Sequence, residues 1–160
     1  MRDTVKAYLA GVIDSDGTVG IKRSTYAMRR RGDAAQAVYS ERVSVRQVEP
    51  QAVDLLAQSF GGSRYMTKPS TTKGRALHTW AVTDRQARDC LRSLLPYLRI
   101  KVGQARNALR LRSLKERSRR AMMKRGRGHA GAAHRPTAIT EAMQLLYMEA
   151  KRLNRAGVRE

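Results

Sequence analysis

Asp14 and Asp16 stand two residues apart at the end of an apolar helical run, and Gly17 follows them directly. Two carboxylates at i and i+2 do not share a helix face. Only one of the pair therefore points at a ligand. An anion at a helix C-terminus lies against the dipole, so an acid kept there implies a compensating cation such as a metal. Gly17 permits the sharp turn out of the helix. Upstream, Ala7, Gly11 and Ser15 recur every four positions and line one stripe. A stripe without bulk lets another backbone come close. The expectation is a tight helix pair that ends at a metal.

The run Leu9-Ala10-Gly11-Val12-Ile13-Asp14-Ser15-Asp16-Gly17 resembles the LAGLIDADG motif of the homing endonucleases, departing only in Val12 for leucine and Ser15 for alanine. A nine-residue pattern with both acids and both glycines in place is far more specific than a lone glycine motif. The motif occurs once, and family members with one copy work as homodimers. The resemblance thus implies a homodimer with Ala7, Ala10, Gly11 and Asp14 at its interface. It implies that Asp16 binds a divalent metal, with the backbone carbonyl of Ser15 as a second protein ligand. Oxygen donors beside a phosphate suit Mg²⁺, with Mn²⁺ as a substitute. Gln47 matches a glutamine that positions the water network, and Lys101 a lysine near the scissile phosphate that stabilises charge. The expected catalytic set is Asp16, Gln47 and Lys101. An arginine that some members place shortly after that glutamine is replaced here by Gln51 or its neighbours.

Composition narrows the partner. The 160 residues hold 33 Lys and Arg against 13 Asp and Glu, a formal net charge of +20. A charge of that size calls for a polyanion, and nucleic acid is the usual one. The longest basic run lacks the apolar face of a membrane-surface helix, no stretch approaches a membrane span, and the N-terminus has no signal-peptide h-region. The expected partners are double-stranded DNA and a second copy of the chain, with no membrane and no small-molecule substrate. The single Cys90 makes no internal disulfide, which fits an intracellular, reducing compartment and a core-filling role. The arginine-rich, lysine-poor balance hints at a bacterial or phage source. His78, His129 and His134 have no metal-ligand spacing.

The elements that must position these groups follow from periodicity and turn signals. Residues 4–14 read as a helix, 18–25 as a strand, 26–33 as a loop and 38–47 as a second strand with clean alternation. Tyr39, Val43 and Val45 fall on one face, interrupted by Glu41, and Ser40, Arg42, Ser44 and Arg46 on the other. Pro50 opens a helix that Gly61-Gly62 ends. A hairpin over 64–68 and 76–83 follows, then a helix capped by Asp84, a long basic helix from Gln104 to about Arg120, and a last helix after Thr137. This is an α+β plan, αββαββα: a four-stranded antiparallel sheet with helices on one face, a free basic face on the other, and C-terminal helices added. The same order is that of the LAGLIDADG fold. The endonuclease domain spans 1–125, a flexible basic linker 126–136, and a C-terminal helix 137–157 packs on the same domain.

The free face is the expected DNA surface, since arginine bonds guanine edges bidentately and clamps phosphates. Its candidates are Lys22 and Ser24, Arg29, Arg30 and Arg31 in the loop, Ser40, Arg42, Ser44 and Arg46, and then Arg64, Met66, Lys68 and Thr79. The reading is a homodimeric, metal-dependent endonuclease making staggered double-strand breaks at a long pseudo-palindromic target, in the manner of intron or intein homing. The alternative is a relative that binds nucleic acid without cleaving it, an RNA maturase or a transcription regulator. A basic structural protein of a ribosome or nucleoid explains the charge but not the motif.

Overall fold

The structure, a computed structural model, describes residues 1–26, 36–69, 74–124 and 137–156. The elements run α1 (Asp3–Asp16), β1 (Gly17–Tyr26), β2 (Gln36–Gln47), α2 (Gln51–Phe60), β3 (Ser63–Thr67), β4 (Leu77–Thr83), α3 (Asp84–Leu94), α4 (Val102–Lys124) and α5 (Thr137–Ala156). The four strands form one antiparallel sheet in the order β1-β2-β4-β3. The expected α+β architecture is therefore the observed one. Arg29, Arg30, Arg31 and the linker 126–136 lie outside the described residues.

Alternation decides which face of the sheet each residue serves. Val19, Val43, Val45, Trp80 and Val82 point to one face and bury there with Leu9 and Ile13 of α1, Val53 and Leu56 of α2, Leu91 and Leu94 of α3, and Ala105 and Ala108 of α4. A second apolar cluster docks α5: Met143 and Ala150 meet Ile21, Tyr39 and Leu111. Three amides tie α5 in place. Asn107 Nδ2 donates to the Leu146 carbonyl at 2.9 Å, Gln104 Nε2 to that of Leu153 at 3.3 Å, and Asn154 Nδ2 to that of Val19 at 3.2 Å. The last of these covers part of the β1 edge, whose free carbonyls would otherwise be a template for another strand.

Glu41, which interrupts the apolar side of β2, is fully buried. Its Oε2 accepts from Arg112 at 2.8 Å and Lys115 at 3.2 Å, and both cations also reach Asp84, at 3.2 and 2.6 Å. The cluster pins α4 to the sheet. It also corrects the reading of Asp84 as a helix cap: Asp84 is the first residue of α3, with φ at +52°, and its carboxylate is turned to α4. Among the described residues, no helix is long and apolar enough to cross a membrane.

Candidate metal and nucleic-acid site

The two acids of the motif part company at the end of α1. Asp14 is buried; its Oδ2 accepts the backbone N–H of Arg99 at 2.6 Å and its Oδ1 that of Lys101 at 2.8 Å. In return, Lys101 Nζ donates to the carbonyls of Ile13 at 2.8 Å and Asp14 at 2.5 Å, and lies 3.4 Å from that of Ser15. The end of α1 and the segment 99–101 that leads into α4 thus hold each other. The last turn of α1 has no basic residue of its own, and the Lys101 ammonium supplies the missing positive charge to its orphan carbonyls. Burial lowers the Lys101 pKa, and the carboxylates of Asp14 and Asp16 oppose that shift.

Asp16 has none of this support. It is exposed, and its described hydrogen bond is the one that Gln47 Nε2 donates to Oδ2 at 2.7 Å. β2 brings Gln47 there, because β1 starts at Gly17 opposite Val45 and carries the end of β2 alongside the motif. Asp16 and Gln47, 31 residues apart, are joined. Lys101 is close by, but its ammonium faces the α1 carbonyls rather than outward.

The donor set suits one kind of metal. Among the described residues, no three His, Cys, Asp or Glu groups gather into a cage. One exposed carboxylate and the Ser15 carbonyl, which Lys101 Nζ approaches to 3.4 Å, are hard oxygen donors of the kind that hold a divalent cation together with waters and a phosphate.

The free face of the sheet spreads from this corner. Register puts Thr18, Lys22 and Ser24 of β1 on it, with Ser40, Arg42, Ser44 and Arg46 of β2, Thr79 and Thr83 of β4, and Ser63, Tyr65 and Thr67 of β3. A shallow groove lined by Lys22, Arg42, Ser63, Tyr65 and Thr83 runs across the strands. A second depression, between Lys22 and Arg42 on one side and Met148, Arg152 and Arg155 on the other, makes α5 its wall.

Several expectations need correction. Arg64 and Met66 lie on the helix-bearing face, opposite Trp80 and His78, and Arg64 pairs with Asp54 of α2. Lys68 falls beyond the end of β3. Thr79 is on the free face but fully buried, sharing a 2.7 Å hydrogen bond with Thr67, and Ser44 is buried among its neighbours. Of the four expected interface residues, Ala10 and Asp14 are buried inside the protomer, whereas Ala7 and Gly11 are exposed. Tyr65 and Ser63 were missed, as were Arg152 and Arg155. The i, i+3 spacing of the last two on one side of α5 is the signal that was available.

No family model and no curated protein matches the sequence. Solved structures do. The homing endonuclease I-CvuI, in complex with a DNA target, superposes with a TM-score of 0.65 at 17% identity over 94% of this chain and 82% of that one. I-TnaI, also a homing endonuclease, gives 0.58 at 16% over 94% and 93%. The archaeal intron-encoded homing endonuclease I-Vdi141I, complexed with DNA, gives 0.56 at 12% over 89% and 98%. A LAGLIDADG motif at the end of α1, a β1-β2-β4-β3 sheet beneath it and these superpositions together give the chain the fold of the LAGLIDADG homing endonucleases.

Proposed function

We propose that the chain is a site-specific DNA endonuclease that acts as a homodimer and hydrolyses phosphodiester bonds with a divalent metal. The observation that carries this reading is the contrast between the motif acids: Asp14 is saturated by backbone donors, while Asp16 stays exposed at the corner of a polar, cationic sheet face. A bound Mg²⁺ would supply charge stabilisation and an activated water. The chain's own part is to hold an Asp16 oxygen and the Ser15 carbonyl toward that ion. Gln47 fixes the Asp16 carboxylate at one oxygen and leaves the other open. Arg42, Arg46, Lys22 and Tyr65 hold the duplex across the sheet, with α5 along its edge.

Dimerisation rests on a steric fact. A methyl group at Gly11 would meet nothing within 4 Å inside the protomer. The protomer has no need of glycine in mid-helix, where it weakens the helix; the close backbone of a second copy does. Cys90, buried with its thiol pushed up to about 12 by burial, serves packing, in keeping with a reducing compartment.

A second reading, nucleic-acid binding without cleavage, has one observation in its favour: the Lys101 ammonium is directed onto the α1 carbonyls and away from any phosphate on the sheet. A supercoiled plasmid bearing the target reconstructed from the gene's flanks separates the two. Linear product with Mg²⁺, none with chelator, supports the enzyme. Tight binding with no nicking in Mg²⁺ or Mn²⁺ supports the binder.

A further inference from the structure

The front of the molecule does not account for all of its charge. α4 buries one side: Ala105, Ala108, Leu111 and Arg112 face the sheet, and Asn107 faces α5. At 3.6 residues per turn the opposite side carries Arg106, Arg110, Ser113, Arg117 and Arg120, all exposed. Four arginines therefore follow a line of about 21 Å on the back of the protein, away from the sheet's free face.

Three features separate this ridge from an ordinary solvated helix side. Among the described residues, no ion pair involves Arg106, Arg110, Arg117 or Arg120. The acids nearby hold other partners: Glu116 holds Arg88 at 3.1 Å, and Glu149 accepts two bonds of 2.7 Å from Arg152, while Arg110 acts on Glu149 only through space. Like charges at i, i+4 and i, i+3, as in Arg106/Arg110 and Arg117/Arg120, work against the helix that carries them. A bound polyanion relieves that repulsion. The face also lacks what other partners need. None of the exposed large apolar side chains among the described residues lies on it, so it offers neither the aromatic anchor of a protein interface nor the apolar side of a membrane helix. Among the described residues it also has no aromatic platform of the kind on which single-stranded bases stack in succession. What remains is recognition of a duplex backbone by charge and spacing.

From this we infer that the outward face of α4 is a second DNA-binding surface, one that takes the phosphate backbone of another duplex without regard to sequence while the sheet face holds the first. The inference rests on the reading that the sheet face binds DNA, but not on that face cutting it.

The test is a bridging assay. A short duplex immobilised on beads is loaded with the full-length protein, washed, and offered a second, labelled duplex of arbitrary sequence. Wild type should retain the second duplex, with steep salt dependence. Arg106→Gln/Arg110→Gln/Arg117→Gln should weaken that capture by roughly tenfold or more, and the salt slope of the second event should become shallower by about 0.9 for each phosphate no longer neutralised. Binding of the first duplex should be unchanged. The same three positions changed to lysine should keep bridging, and melting curves of both variants should match or exceed wild type. Bridging undiminished in the glutamine variant overturns the inference. So does equal weakening of first and second binding, which would make the ridge part of one footprint. Capture of duplex RNA or polyglutamate in preference to DNA overturns it too, by assigning the ridge to another partner.

Discussion

Two carboxylates separated by a single residue lead different lives at the end of α1. Around Asp14 the chain closes on itself: two backbone N–H groups fill the buried carboxylate, and a lysine side chain returns to the carbonyls beneath it. Around Asp16 the chain stays open, with one amide bond from Gln47. The first arrangement fixes where the helix ends, and the second leaves a charged oxygen for something outside the protein. The same residue type therefore does structural work at one position and is free for chemistry at the other. The helix turn between them makes the difference, since it points one at the segment leading into α4 and the other at the sheet corner.

The division between the two acids is most vulnerable at Asp16. Asp16→Asn keeps the shape and removes the charge a metal requires, and we expect cleavage to fall about a thousandfold or more, as metal stabilisation amounts to several kcal/mol. Binding of target and thermal stability should be nearly unaltered. Plasmid linearisation followed beside a gel-shift titration measures both, and wild-type cutting would remove Asp16 from the mechanism. Next in size is the outer side of the same helix. Gly11→Leu should abolish the dimer at micromolar concentration while leaving the protomer's Tm equal or higher, because the site is open and leucine favours a helix by up to about 1 kcal/mol over glycine. Sedimentation and calorimetry read the two quantities separately; an intact dimer would sink the interface.

Asp14→Asn addresses the closed side. An amide there cannot accept both N–H groups as a carboxylate does, so the cost should be about 2–3 kcal/mol of stability, or roughly 4–12 °C in Tm. Activity at low temperature should survive in the fraction that folds. If Asp14→Asn instead kills cutting with no change in Tm, the division of labour between the two acids is wrong. Smaller still is the sheet. Arg42→Ala should cost about 1–3 kcal/mol of target affinity if the side chain reads a base. If it meets only phosphate, the loss should be even across sequences, with a shallower salt slope. Arg64→Ala, on the other face, should change DNA affinity not at all and stability by about 0–1 kcal/mol, as for a half-exposed ion pair. A larger loss of affinity from Arg64 than from Arg42 would reverse the assignment of faces.

Much of this was written locally in the chain. The motif, the alternation of β2 and the glycine pair after α2 each specify their element from neighbouring residues alone, which is why the sheet and the free face of Arg42 and Arg46 were readable. For β3 the strand is readable but its facing is not, because Ser63-Arg64-Tyr65-Met66-Thr67 has no alternation of apolar and polar residues. Its phase comes from Gly61 and Gly62, at φ of +67° and +96°, and from Trp80 Nε1 donating to the Gly61 carbonyl at 2.7 Å. A slip of one residue there exchanged Arg64 for Tyr65. Glu41 was opaque for another reason: its partners Arg112 and Lys115 lie 71 and 74 residues away, so an acid in a core strand looks like an interruption until α4 is folded over it. Ala10 and Asp14 lie off the Ala7, Gly11, Ser15 stripe; the resemblance places them at the interface, and the fold buries them inside the protomer instead.

Gly17 gives the motif a different kind of permanence. A Cβ at that position would stand 2.6 Å from the Ile13 carbonyl oxygen and 2.8 Å from its Cα, backbone that cannot swing aside. A variant that keeps this turn must keep the glycine, whatever its activity. Asp16 is under no such obligation, since its side chain is exposed and its described hydrogen bond is the one from Gln47. As a lineage drifts away from catalysis, the acid should be the first of the two to go. On the proposed function, a surviving glycine beside a missing acid would then mark a relative that keeps the fold without the means to cut.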